Sequence, residues 1–250
     1  GVDSLAAIQA SGDLPSVDVL PGQAGSGDEG TAMLEIVHDL APGASLGFAT
    51  AFSGEAQFAQ NILDLRNLRG CQVLVDDVLY LEESPFQDGV VAEAVNTVTA
   101  AGALYFSSAG NEGNQRDLTS ATWEGNFVPN GTLAGVPGTV HNFGNGGQSI
   151  TNLGFADPPY VLHWADPSGA SGNDYDLFIL DSTLTVVVDS STNLQNGNDV
   201  PFEATSFGPF PGDQVVVVKR SGAGSPMFNL FAARSVLDPS LATGGATRGH

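Results

Sequence analysis

Two residues stand out for the chemistry their surroundings permit, a glutamate and an asparagine. Glu29 lies in the stretch DEGTAMLEIVHDLAPGA, residues 28–44, which has the pattern of a helix followed by a Pro-Gly turn into a strand. Asp28 is placed to cap that helix, and a carboxylate in the first turn suits the helix dipole. Glu29 is therefore either a helix-start charge or an acid/base group held at the rim of a cleft. Asn111 lies in FSSAGNEGN, residues 106–114, where a buried strand runs into small residues and glycines that let a backbone approach closely. Its amide is a neutral donor of the kind that stabilises a developing oxyanion, or else part of an Asn-Gly turn.

Other candidates are carboxylates and histidines. Asp76 and Asp77 end the run QVLVDD, and neighbouring strand residues face opposite ways, so one of the two is expected in any cleft. Asp166 to Asp181, DPSGASGNDYDLFILD, offers Asp174, Asp176 and Asp181 with Asn173 as oxygen ligands for Ca²⁺, or simply a polar turn before a strand. The spacing is not that of an EF-hand. His38 follows Glu29 by nine residues and falls about half a turn round the helix, which removes it as an alternative base at the same site. His141 and His163 lack a matching Ser/Asp set, His250 is terminal, and no His/Cys/Glu spacing suggests zinc.

The elements that must position these groups change character along the chain. Up to about residue 115, helical periodicity alternates with short apolar runs: helices at 3–10, 29–40, 55–68 and 89–100, strands at 17–20, 45–50, 72–75 and 103–107. Such alternation predicts a parallel sheet covered on both faces, with functional groups beyond the carboxyl ends of its strands. Residues 116–237 show no helix. Apolar or alternating runs at 160–164, 175–180, 184–188, 214–219 and 226–232 are separated by turn-rich gaps, the pattern of an antiparallel β-sandwich.

Composition narrows the partners. A net charge of −21 with one Lys and six Arg argues against nucleic acid and anionic membranes. No apolar run reaches membrane-spanning length, so membrane insertion is not expected. Low Lys with abundant Gly, Asn, Ser and Thr suits an exported protein. Cys71 is alone, so no internal disulfide forms, and its place in CQVLV marks it as a small core residue.

Glu-Gly-Thr at 29–31, Ala-Pro-Gly-Ala at 41–44 and Ser-Ser-Ala-Gly-Asn-Glu-Gly at 107–113, in this order on an α/β frame, resemble the subtilisin-like serine peptidases. The resemblance covers about residues 1–115. It implies a three-layer parallel-sheet domain at 1–115, an inserted β-sandwich at 116–237 and a return to the peptidase domain at 238–250. In this family the position of Glu29 is the catalytic His; a Glu there is the mark of the related sedolisins, with a Ser-Glu-Asp triad. Glu29 is then the general base, Asn111 the oxyanion donor, and Asp76, Asp77, Ser108, Ala109 and Gly110 border the specificity pocket. The activity implied is serine-type endopeptidase, acting on polypeptides, with no required cofactor and with Ca²⁺ as an optional ion. The alternative is a non-catalytic, peptidase-like protein whose sandwich binds protein or glycan.

Three departures matter. The sedolisin Asp lies four residues after the Glu, where this chain has Met33. Sedolisins place Asp in the oxyanion position, where this chain keeps Asn111. No Gly-Thr-Ser phrase occurs, Ala-Thr-Ser-Phe at 204–207 being the nearest string. The expectation is an internal piece of a secreted peptidase that lacks the nucleophilic Ser, takes the carboxylate partner of Glu29 from Asp76 or Asp77 or from sequence before residue 1, is inactive alone, and exposes apolar surface.

Overall fold

The computed structural model describes residues 4–23, 27–156, 159–208 and 210–244. Asp3, Pro209 and residues 245–250, which enter the helix, turn and tail expectations above, lie outside them. The described residues form a mixed α/β structure with four helices and thirteen strands. They divide into two compact units. The described part of the first lies in Gly1–Tyr80 and Asp88–Ser108, and that of the second in Leu81–Gln87 and Ala109–Arg248.

The first unit contains two strand–helix–strand modules. In one, β1 (Val17–Val19) leads through α2 (Glu29–Leu40) to β2 (Leu46–Phe48), which pairs with β1 in parallel. The preceding helix α1 (Leu5–Ser11), capped by the Ser4 hydroxyl, contributes Ile8 to a small core with Leu14, Leu34 and Leu46. Asp28 occupies the N-cap position of α2, but its side chain makes no capping hydrogen bond, contrary to the expectation. Instead the Thr31 hydroxyl returns to the Asp28 carbonyl at 2.7 Å. In the second module, β3 (Val73–Asp76) leads through α4 (Val90–Ala100) to β4 (Leu104–Ser107), again in parallel. Helix α3 (Glu55–Asn67), which joins the modules, packs Phe58, Ala59 and Ile62 with Leu74, Val91, Ala94, Val98 and Ala103.

Cover on both faces, expected of this sheet, is not found at the β3–β4 pair. Leu74 faces the helices, whereas Val73, Val75, Leu104 and Phe106 are each more than half exposed. The register pairs Val73 with Leu104 and Val75 with Phe106, so these four form one uncovered apolar face. Helices α3 and α4 share a single core with the opposite face, which leaves this one bare.

The second unit holds two antiparallel sheets. One has the order β10-β9-β12-β6, with β7 also on β12; the other runs β11-β8-β13-β5. Their ranges are β5 Thr122–Asn126, β6 Thr139–Val140, β7 Ile150–Thr151, β8 Tyr160–Trp164, β9 Asp174–Leu180, β10 Val187–Ser191, β11 Phe202–Ala204, β12 Gln214–Ser221 and β13 Met227–Ala232. Tyr175, Leu177, Ile179, Val215 and Val217 of the first sheet share a core with Tyr160, Leu162, Trp164, Phe228 and Leu230 of the second, a sandwich-like arrangement. Outer faces are covered too. Phe178, Leu180, Val216 and Val218 pack with Val136, and Val161 and Phe231 pack with Leu81 and Phe202. Every residue of β8 and β9 is consequently buried, which is why 160–162 and 177–180 are apolar without alternation.

Two expectations shift here. Residues 184–188 are not one strand: Leu184 has φ +58° in a turn that the Asp181 carboxylate holds by accepting from the Thr185 and Val186 amides, and β10 starts at Val187. Residues 238–244, expected to return to the first domain, lie with the sandwich. The Thr243 amide donates to the Thr122 carbonyl at 2.8 Å and Ala242 joins the sandwich core.

Candidate functional site

In a strand–helix–strand module the carboxyl end of the first strand feeds the helix N-terminus, so Glu29 stands at the carboxyl edge of the β1–β2 pair. Gly30 behind it has a steric reason. A Cβ there would lie 2.6 Å from the Phe48 ring of β2, so only glycine lets α2 approach this closely. Thus the Glu-Gly-Thr phrase sets the helix start against the strand. The Glu29 side chain is exposed, and no hydrogen bond among the described residues holds its carboxylate.

A buried amide network closes the same edge. Gln23, after β1, accepts from the Thr50 amide at 2.6 Å and from the Asn61 side chain at 3.3 Å. Asn61, 2% exposed in the middle of α3, also donates to the Thr50 carbonyl at 2.8 Å. Its own oxygen accepts from Gln57 at 3.1 Å. After β3, the Tyr80 hydroxyl donates to the Ala51 carbonyl at 2.7 Å, which ties the segments following β2 and β3.

Of the paired aspartates, Asp76 is buried and Asp77 exposed, the opposite facing expected of strand neighbours. Asp76 does not partner Glu29. One of its oxygens accepts from the Ser107 hydroxyl at 2.8 Å and the other from the Tyr105 hydroxyl. Ser107 is its register partner on β4, and the Ser108 amide donates to the Asp76 carbonyl at 3.2 Å. Ser107 thus spends its hydroxyl hydrogen on fixing strand ends.

Glu29, Asp76, Asp77 and Ser108 belong to the first unit, Ala109, Gly110 and Asn111 to the second. Gly110 has φ +79°, and the Asn111 amide donates to the Glu112 carboxylate, leaving the exposed Asn111 side chain outside that bond. Gly113, φ +65°, is irreplaceable on space alone, because a Cβ would sit 2.1 Å from the Thr119 carbonyl oxygen. The Asn114 side chain then closes the loop with Asp117, donating at 2.8 Å and accepting at 2.9 Å.

The aspartates of the sandwich do not converge on one point. Asp176 pairs with Arg220 at 2.7 Å, and burial still pushes its carboxyl pKa up. Asp181 holds the turn before β10, and hydrogen bonds from Thr183 and the Val186 and Thr185 amides bring its pKa down to about 2. Asp174 accepts from the Gln195 amide at 3.2 Å. Among the described residues no group of three His, Cys, Asp or Glu is placed to hold a metal ion.

Two buried polar centres had no distinguishing signal in the sequence. His141, fully buried, is surrounded by the rings of Trp123, Phe127, Phe143 and Phe228. Its Nδ1 accepts from the Val128 amide at 3.1 Å and desolvation lowers its pKa to about 4. Glu203, also fully buried, has its pKa pushed up to about 6 by burial, although Ser191, Gln195 and Asn193 all donate to it.

No protein-family model matches the chain, and no curated protein is significantly similar to it. No helix among the described residues is long and apolar enough to cross a membrane.

Proposed function

We propose that this chain is part of an exported serine endopeptidase of the subtilisin/sedolisin type, its first unit built on that family's three-layer plan. Its reaction is acyl transfer from a peptide bond to water through a serine ester. Glu29 serves as general base and Asn111 as oxyanion donor, while the nucleophilic serine is none of the residues described above. The observation that carries this reading is the placement of Glu29. Its carboxylate is exposed and held by no hydrogen bond among the described residues, at a helix N-terminus on the carboxyl edge of a parallel pair, with Gly30 packed on Phe48.

A second reading is a non-catalytic, peptidase-like protein that binds protein or glycan through its sandwich. It is favoured by the engagement of Asp76 with Tyr105 and Ser107, which leaves Glu29 without an orienting carboxylate in the described structure. The two separate in one experiment, fluorophosphonate labelling of the full-length gene product from about pH 3 to about pH 8, a span that brackets carboxylate titration. The peptidase reading expects labelling in wild type and its loss in Glu29→Gln, with unchanged melting because Glu29 is exposed. Folded protein that takes up no label at any pH sinks it.

A further inference from the structure

Strand β10 is an edge of one sheet of the sandwich and β11 an edge of the other. Ser191 on β10 is the register partner of Leu177, and Glu203 on β11 that of Leu162, both core residues. Ser191 and Glu203 therefore point inward, between the sheets. A carboxylate in that position is costly unless something offsets its charge. Three neutral donors reach it: the Ser191 hydroxyl, the Asn193 amide at 2.9 Å and the Gln195 amide at 2.8 Å. Among the described residues no Lys or Arg pairs with it. The salt bridges among the described residues are Arg69–Asp18 and Arg220–Asp176.

Gln195 supplies an independent sign. It is 3% exposed, and its Oε1, on the same amide that donates to Glu203, is buried with no hydrogen-bond partner. Rotating the amide does not cure this. It would set Oε1 against the carboxylate, acceptor facing acceptor, and orphan the NH₂ instead. A positive ion between the two oxygens satisfies both at once. The donors within reach are all hard oxygens: the Glu203 carboxylate, Gln195 Oε1, the Ser191 hydroxyl and, after rotation of its amide, the Asn193 oxygen. The Asp174 carboxylate accepts from the Gln195 backbone N–H at 3.2 Å and brings a second negative charge.

We infer that Ser191, Asn193, Gln195 and Glu203, with Asp174 beside them, form a Ca²⁺-class divalent cation site that clamps the β10 edge to the β11 edge. Carboxylate, amide and hydroxyl oxygens suit Ca²⁺, whereas Mg²⁺ demands near-octahedral geometry and Zn²⁺ prefers nitrogen and sulfur. The set holds two carboxylates and otherwise neutral oxygens, which fits an ion of modest affinity.

The test is calorimetric titration and thermal melting of the intact chain at neutral to slightly alkaline pH, with CaCl₂ and with MgCl₂ at matched ionic strength. Expected are one saturable Ca²⁺ site, a rise in melting temperature reversed by chelator, and a weaker response to Mg²⁺. Glu203→Gln should weaken Ca²⁺ at least roughly tenfold, a loss of about 1.4 kcal/mol in binding, and Asp181→Asn should leave it unchanged. Gln195→Glu separates an ion site from a plain polar staple. With Ca²⁺ it should bind more tightly and melt higher than its own ion-free form, which two facing carboxylates destabilise. The inference is overturned by no saturable effect up to about 10 mM Ca²⁺, above the range of weak extracellular modules. It is equally overturned by unchanged binding in Glu203→Gln, or by a Gln195→Glu chain that Ca²⁺ does not rescue.

Discussion

At the scale of single residues, His141 ties stability to pH. Sealed among four aromatic rings, its folded pKa falls to about 4 from an ordinary 6.5. A depressed histidine contributes stability that is fully present above the unfolded value and lost as pH falls toward the folded one. The window is therefore pH 6.5 down to about 4, and a shift of this size corresponds to about 3 kcal/mol. Urea denaturation at a series of pH values should show this loss. His141→Asn, which keeps an acceptor for the Val128 amide, should flatten the dependence, and equal slopes in both chains would remove His141 as the cause. An enzyme with a Glu base would thus meet a lower limit of working pH set by its sandwich. Single residues were legible in the sequence where one local phrase carried them, as with Glu29 at a helix start. Asp76 was legible as a strand end but not in its role, because Tyr105 and Ser107 lie 29 and 31 residues away. The same holds for Glu203, whose surroundings only the pairing of sheets creates.

At the scale of elements, the bare face of β3 and β4 has a direct consequence. Four exposed apolar side chains on one face of a parallel pair favour self-association. The double substitution Val75→Thr and Phe106→Ser should lower the apparent mass in sedimentation velocity, with stability changed by no more than about 0.5 kcal/mol because both side chains are already exposed. A large loss of stability would mean that the face is covered in solution. The helices α2, α3 and α4 were read from the sequence to within a residue or two, because each has an apolar stripe of period 3.6 and a clear stop. The strands β5, β6, β7 and β11 escaped. Three of them have two or three residues, too few for any period to show, and β5 reads Thr-Trp-Glu-Gly-Asn, with little apolar signal.

At the scale of the whole molecule, the two units differ in how thoroughly they bury their elements. Strand β9 and the centre of β12 are closed to solvent on both faces, whereas α2 buries only Leu34. Amide hydrogen exchange should reflect this. Protons of β8, β9, β12 and β13 should exchange at least about 100-fold more slowly than those of α2, a difference of about 2.7 kcal/mol in opening. Comparable rates would show that both units open together. The two-part division was legible from the change in texture, but the sequence placed the boundary near 115, and nothing local marks Leu81–Gln87 as part of the second unit. That segment joins it through partners far along the chain. The His163 ring meets the Leu81 carbonyl at 3.0 Å across 82 residues, and Gln87 reaches the Asp166 carbonyl across 79. During synthesis, Leu81 leaves the ribosome long before β8 exists. At about 5–20 residues per second, the nascent segment waits roughly 4–16 s for the sheet it will lie against. Over that interval its leucine is open to chaperones, and the sandwich cannot be completed until the chain behind it has been made.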